Sequence, residues 1–237
     1  MNAMMKNTIT ALAASLLVFM FISCASNDTE DYDYSYDYTL DESEYINDSA
    51  PAADENFLAN IEPVDLPALY FLKKNGKKVI PREVKKVGLV PRTNAVEMHF
   101  RDLSNEVAII FRKAERDKIL DACNTFLQQY EEKTVPHVKV SKKNAYFDST
   151  CSLWYGLLSP VNGCERNVYY VIPEFINKKP YLLIRFVPTT VTSKTGDYTP
   201  KVSLYMSPSQ VRDFIEQMDQ KKLEEYIIEN TKKAYTY

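Results

Sequence analysis

Val96-Glu97-Met98-His99-Phe100-Arg101 alternates apolar and polar side chains, and Val107-Ala108-Ile109-Ile110-Phe111 follows it across a Ser104-Asn105 turn. In the first run Val96, Met98 and Phe100 share one face of a strand, while Glu97, His99 and Arg101 share the other. A period of two with one apolar face describes an antiparallel strand that buries one side and wets the other. From residue 114 to 132 the period changes to that of a helix. Ile119, Leu120, Cys123, Phe126, Leu127 and Tyr130 then fall on one stripe. Paired strands feeding an amphipathic helix predict an α+β fold, antiparallel sheet with packing helices.

The same pattern extends in both directions. Upstream, Leu69–Lys74 and Lys77–Arg82 flank Asn75-Gly76, a dipeptide suited to the positive φ of a tight hairpin. Val84–Val90 reads as a third strand stopped by Pro91. Downstream, strands are predicted at 145–157, 166–176, 181–188 and 200–206, with turns at 159–163 and at Asn177-Lys178-Lys179. Ser207-Pro208-Ser209-Gln210 opens a second helix, with serine as N-cap, proline in the first turn and glutamine closing a capping box. Its core face is Val211, Phe214, Ile215 and Met218. The period slips at Asp219–Lys222 and resumes at Leu223, Tyr226 and Ile227, which predicts a kink or a short extra helix.

Placing Ile109-Ile110-Phe111 over Leu204-Tyr205-Met206 aligns Ile119-Leu120-Asp121 with Phe214-Ile215-Glu216, an offset of 95. This predicts a duplicated ββββα unit with pseudo-repeats at 66–133 and 144–219. A sheet with fewer strands and two covering helices is the alternative. The element order is similar to that of Whirly and PUR-type proteins. No sequence motif accompanies the order, so no function follows from it.

The N-terminus carries different information. Lys6 supplies a positive charge, no acidic residue precedes Asp28, and Ile9–Ile22 is an apolar stretch interrupted only by Thr10 and Ser15. As a helix it would span about 21 Å, short of the roughly 20 residues that cross a bilayer core, so residues 1–23 read as a cleaved signal peptide. Phe21-Ile22-Ser23-Cys24-Ala25 resembles the lipobox of bacterial lipoproteins, in which a small residue precedes an acylated cysteine. The resemblance implies lipidation of Cys24, a membrane anchor, and a place in the cell envelope, periplasmic or surface-exposed.

Charge then divides the remainder. Residues 28–55 hold eleven acidic side chains and no Lys or Arg, with Asp31-Tyr32-Asp33-Tyr34-Ser35-Tyr36-Asp37-Tyr38 at their centre. High net charge without an apolar face predicts an extended, solvated tether over 24–60. An acidic run at this place also resembles the surface-export signals of some bacterial lipoproteins. The body from 56 to 237 has 28 basic against 21 acidic residues, a net of +7, and 61–237 reads as one globular domain. Lys73, Lys74, Lys77, Lys78, Arg82, Lys85 and Lys86 form its densest basic run, opposed only by Glu83. An anionic headgroup, a charged glycan or the chain's own acidic tail would suit such a patch. Nucleic acid is not an expected partner in that compartment.

Signatures of chemistry are sparse. The chain has two histidines and five glycines, and it lacks a Gly-x-Ser-x-Gly elbow, a phosphate-binding glycine loop, His-Glu-x-x-His and Cys-x-x-Cys. No cofactor or metal site is predicted. His99 projects from a polar strand face, and His137 follows Pro136 in a connection. Cys123 lies on the helical core stripe. Cys151 and Cys164 flank the 159–163 turn, where a loop-closing disulfide is one expectation, although hairpin symmetry about Val161 would set Cys164 opposite Leu158. Trp154 and Tyr155, with Tyr169 and Tyr170, are expected to pack across neighbouring strands. The resulting expectation is a non-catalytic, lipid-anchored envelope protein with a binding or structural role, including that of a self-associating spacer. The alternative is an enzyme acting on envelope polymers through dispersed Asp, Glu or Tyr side chains.

Overall fold

The computed structural model describes residues 63–192 and 196–234. The expected signal segment 1–23, Cys24 and the tether at 24–60 lie outside them. The element order is β1 (Val64–Asp65), β2 (Tyr70–Asn75), β3 (Lys78–Val90), β4 (Ala95–Asp102), β5 (Asn105–Phe111) and α1 (Lys113–Glu131). It continues with β6 (Phe147–Gly156), β7 (Asn162–Ile176), β8 (Lys179–Phe186), β9 (Val202–Met206), α2 (Pro208–Met218) and α3 (Gln220–Ala234). The protein is mixed α+β and mostly sheet.

Every strand pairing is antiparallel. The nine strands form one sheet in which β2 to β9 each find a neighbour on both edges. The ring closes through a single residue pair, Leu72 of β2 opposite Tyr205 of β9. Closure leaves little free edge for another chain to extend. The two-residue β1 adds to the outer end of β3, Val64 opposite Leu89.

Alternation places one face of this sheet against the helices. Phe71, Met98, Phe100, Ile109, Phe111, Leu153, Ile184, Phe186 and Leu204 are at most 1% exposed and share one core with Ile119, Cys123 and Phe126 of α1 and Val211, Phe214 and Met218 of α2. Burying each large aliphatic or phenyl side chain contributes about 1.5–3 kcal/mol, so this layer dominates stability. A second, smaller cluster lies on the opposite face. Tyr170, Ile172, Leu183 and Tyr205 are covered there by Leu72 and Val79 of the β2–β3 hairpin and by Val138, Val140 and Ala145 of the α1–β6 connection.

Val84–Val90 is not a separate strand. It continues β3 past a bulge between Val84 and Lys86, so that residues 78–83 pair with β2 and residues 84–90 with β4. A bulge bends and twists a strand without ending it, so β3 runs on with β2 and then β1 along one edge while β4 joins the other edge from Val84 onward. The β2–β3 register also differs from the expected one by one loop position. Asn75 pairs with Lys78, leaving Gly76-Lys77 as the loop. Only Gly76 has a positive φ, 57°, the pattern of a hairpin with glycine at its first central position.

The capping box at the start of α2 is present. Gln210 N donates to Ser207 Oγ and Ser207 N donates to Gln210 Oε1 at 2.9 Å. The slip in period at Asp219 is a full break, with that residue extended at ψ 129°, and the following α3 is a helix of 15 residues rather than a short one.

Candidate functional site

The seven basic residues at 73–86 do not act as one surface. Four are matched to carboxylates: Lys74 Nζ lies 2.8 Å from Glu174, Arg82 2.7 Å from Asp102, Lys85 2.6 Å from Glu106 and Lys86 3.0 Å from Asp65. Arg82 is only 7% exposed and its guanidinium also stands 5.2 Å from the centre of the Phe100 ring. Burial lowers its pKa, and Asp102 opposes that shift. It is part of the sheet interior, not a surface ligand. Lys73, Lys77 and Lys78 remain exposed, without an ion pair among the described residues.

The hairpin tip gains other cations from a distant segment. Ile176 pairs with Lys179, so Asn177-Lys178 is the two-residue loop between β7 and β8, with φ of 50° and 63°. Asn177 Nδ2 donates to the backbone carbonyl of Lys77 at 2.6 Å. That bond joins two turns 100 residues apart and sets Lys178 and Lys179, both exposed, beside Lys77 and Lys78. Two central positive φ values are ordinary for Asn and Gly but costly for lysine, so the ammonium at 178 is held on a strained backbone.

Glu174 orders this region from below. Its Oε1 takes Lys74 and its Oε2 accepts from Tyr205 Oη at 2.9 Å, which uses up the neighbouring carboxylate. Burial and the Glu174 charge raise the Tyr205 pKa, keeping the phenol protonated as donor. Among the described residues no carboxylate is ion-paired with the four lysines at the two turns, and the field of such exposed charges reaches about 8 Å at physiological ionic strength.

The other sequence-derived candidates gather no chemistry. His99 is 34% exposed on an open sheet face, 3.4 Å from Glu97. His137 stacks on Phe175 with ring centres 3.6 Å apart. Cys123, Cys151 and Cys164 are buried with free thiols, and burial pushes the Cys123 and Cys151 thiols up, away from reactive thiolate. Leu153, not Leu158, stands opposite Cys164, and Cys151 stands opposite Asn167 across an irregularity in the β6–β7 register. Tyr169 and Tyr170 are buried and Trp154 and Tyr155 half-buried. A cleft of about 460 Å³ beside Pro67 is lined by Asp213, Glu216, Glu225 and Glu229, with Lys222 among them. No set of three metal-ligating side chains occurs among the described residues.

Sequence reasoning missed Lys178 and Lys179 as members of the patch. Their turn was legible, but no local pattern states that it touches another turn far away in the chain.

Comparison with known proteins gives a family without an assigned activity. An uncharacterised protein of Treponema pallidum (strain Nichols) is 24% identical over 148 residues, covering 62% of this chain and 53% of the relative. The chain thus spans about half the length of that relative. No solved structure matches. A family model described as "Uncharacterised Treponema protein" matches residues 58–225, nearly the whole folded body. The chain belongs to this family of Treponema proteins.

Proposed function

We propose that the chain is an exported, lipid-anchored envelope protein whose body binds an anionic envelope component through the paired lysine turns, without chemistry of its own. The Asn177–Lys77 hydrogen bond carries this reading, because it builds one four-lysine surface out of two remote loops. Supporting it, the Glu174 carboxylate is already committed to Lys74 and Tyr205. The apolar run at 9–22, Ser23-Cys24 and the acidic stretch that follows support export, lipidation and a tether.

The ligand chemistry is a phosphate or carboxylate array, from a lipid headgroup or from a glycan. Full-length protein should bind phosphatidylglycerol vesicles or a polyanionic glycan more tightly in 50 mM salt than in 200 mM salt (about), because exposed charges are screened. Replacing Lys77, Lys78, Lys178 and Lys179 with Gln should weaken that binding at least tenfold. Vesicle-only and glycan-only binding distinguish the two sources, and unchanged binding of the variant defeats the reading. Mass spectrometry of the N-terminal peptide tests the anchor separately, since an unmodified Cys24 would remove it.

The duplication of a ββββα unit belongs to the same reading. At the offset of 95, Ile109 and Leu204, Phe111 and Met206, Ile119 and Phe214, and Cys123 and Met218 are all at most 1% exposed and face the shared core. Equivalent burial at four aligned positions supports two copies of one ancestral unit closing on each other.

A further inference from the structure

Two neighbouring hairpin loops carry aliphatic side chains that the fold leaves in water. Leu103 in the β4–β5 loop is 92% exposed, and Leu157, Leu158 and Val161 in the β6–β7 loop are 69%, 95% and 66% exposed. Glu106 of β5 pairs with Gly156 of β6, which sets the two loops side by side. Tyr198, 61% exposed, belongs to the same end of the sheet. Its carbonyl accepts from Tyr155 Oη at 3.2 Å, and Thr192 N donates to Gly163 O at 3.1 Å.

Neither loop requires these residues for its own geometry. Asp102 pairs with Asn105, so Leu103 is the first central residue of a two-residue loop and has φ 53°. Gly, Asn or Asp is the ordinary occupant of such a position, and a leucine there is strained. In the other loop the chain turns back so tightly that a Cβ on Gly156 would stand 2.0 Å from Ser159 O. That turn projects Leu157 and Leu158 outward instead of letting them fold onto the sheet. Two charge pairs stand behind the tips, Arg82 with Asp102 and Lys85 with Glu106.

We infer that these tips seat in the interfacial layer of a lipid bilayer and dock the body against the membrane. The shape argues for lipid over protein. Separate convex knobs match a fluid apolar medium, whereas a protein partner needs a complementary surface of about 800 Å² per side. Aliphatic tips with a neighbouring tyrosine have the composition of residues that sit at the boundary between apolar core and headgroups. A membrane is within reach on the reading given above, on which this inference rests. Residues 25–62 separate Cys24 from the folded body, and fully extended they span up to about 130 Å.

The test is amide exchange at sub-second labelling times on the full-length protein with vesicles of pure phosphatidylcholine, which offer the lysine turns no net anionic target. Exchange at 102–105 and 157–161 should slow at least tenfold on the vesicles, while the turns at 75–78 and 176–179 stay unchanged. The double variant Leu157→Ser/Leu158→Ser should lose the slowing and keep the wild-type urea midpoint. Unchanged exchange at the tips of vesicle-bound protein overturns the inference. Slowing that survives the double variant, or that needs added envelope protein, overturns it too. Acylation of Cys24, read by mass, fails or holds independently of this result.

Discussion

Arg116 and Asn94 are joined twice: Nη1 of the arginine donates to the Asn94 carbonyl at 2.5 Å and Nη2 to its Oδ1 at 2.9 Å. Asn94 can present its carbonyl this way because it caps a short 3-10 turn in the left-handed region, φ 47°. The same guanidinium donates to Gln220 Oε1 at 2.7 Å, so one side chain from α1 fastens the β3–β4 connection and the start of α3. It is 1% exposed, and burial lowers its pKa to about 10, still charged at neutral pH. Arg116→Met preserves much of the apolar stem but strands these acceptors. The expected cost is about 2–4 kcal/mol in urea unfolding. Asn94→Gly, which keeps the backbone acceptor and its conformation, should cost visibly less.

Leu103 gives the opposite sign. A left-handed backbone costs a residue with a branched side chain about 1–2 kcal/mol, and at 92% exposure no burial offsets it. Leu103→Asn should therefore raise the unfolding free energy by roughly 0.5–1 kcal/mol in denaturant melts. If the tips dock on lipid, the same substitution should weaken that docking, so stability and attachment move in opposite directions.

Gly163 and Trp154 face each other across β6 and β7. A Cβ at position 163 would come within 2.8 Å of the indole and 2.3 Å of the Leu153 carbonyl, so the ring lies over bare backbone. Backbone on one side cannot yield, and Gly163→Ala should destabilise by about 2–3 kcal/mol through local overpacking. Trp154 is the chain's single tryptophan, so its fluorescence reports the change directly. An altered emission maximum before any shift in the unfolding midpoint would place the disturbance at the ring.

How far the sequence could be read follows from which forces are local. The alternation in Val96–Arg101, the stripe from Ile119 to Phe126 and the box at Ser207–Gln210 each express a contact closed within a few residues, and each is present in the fold. What escaped depends on contacts between distant segments. Nothing near Arg116 announces a buried arginine on an otherwise apolar stripe, because its acceptors come from positions 94 and 220. The bulge in β3 between Val84 and Lys86 is equally invisible, since it is set by the pairing with β4 rather than by Val84-Lys85-Lys86. For the same reason the lysine patch was half legible. The run at 73–86 shows its charges but not the carboxylates that cancel four of them, and the turn at 177–178 shows neither its neighbour nor its use.

Alkaline pH should unfold the protein by a route set in its core. Burial pushes the Cys123 and Cys151 thiols up from their ordinary range, and it pushes the Tyr146 phenol up to about 12. Tyr205 moves in the same direction, from burial and from Glu174. An acid with a raised folded-state pKa holds its proton more tightly when folded, so its stabilisation is complete below the unfolded pKa and is lost as pH rises through the folded one. Stability should accordingly be flat from pH 7 to about 9 and then fall, first as the unfolded thiols ionise and further as the unfolded phenols follow. Urea midpoints taken across pH 7–12 give the profile. Tyr146→Phe deletes one contributor and the hydrogen bond from its hydroxyl to Gln129. The variant should start lower at pH 7 yet decline less steeply above pH 10. Parallel curves for the two proteins would show that Tyr146 is not held protonated by the fold.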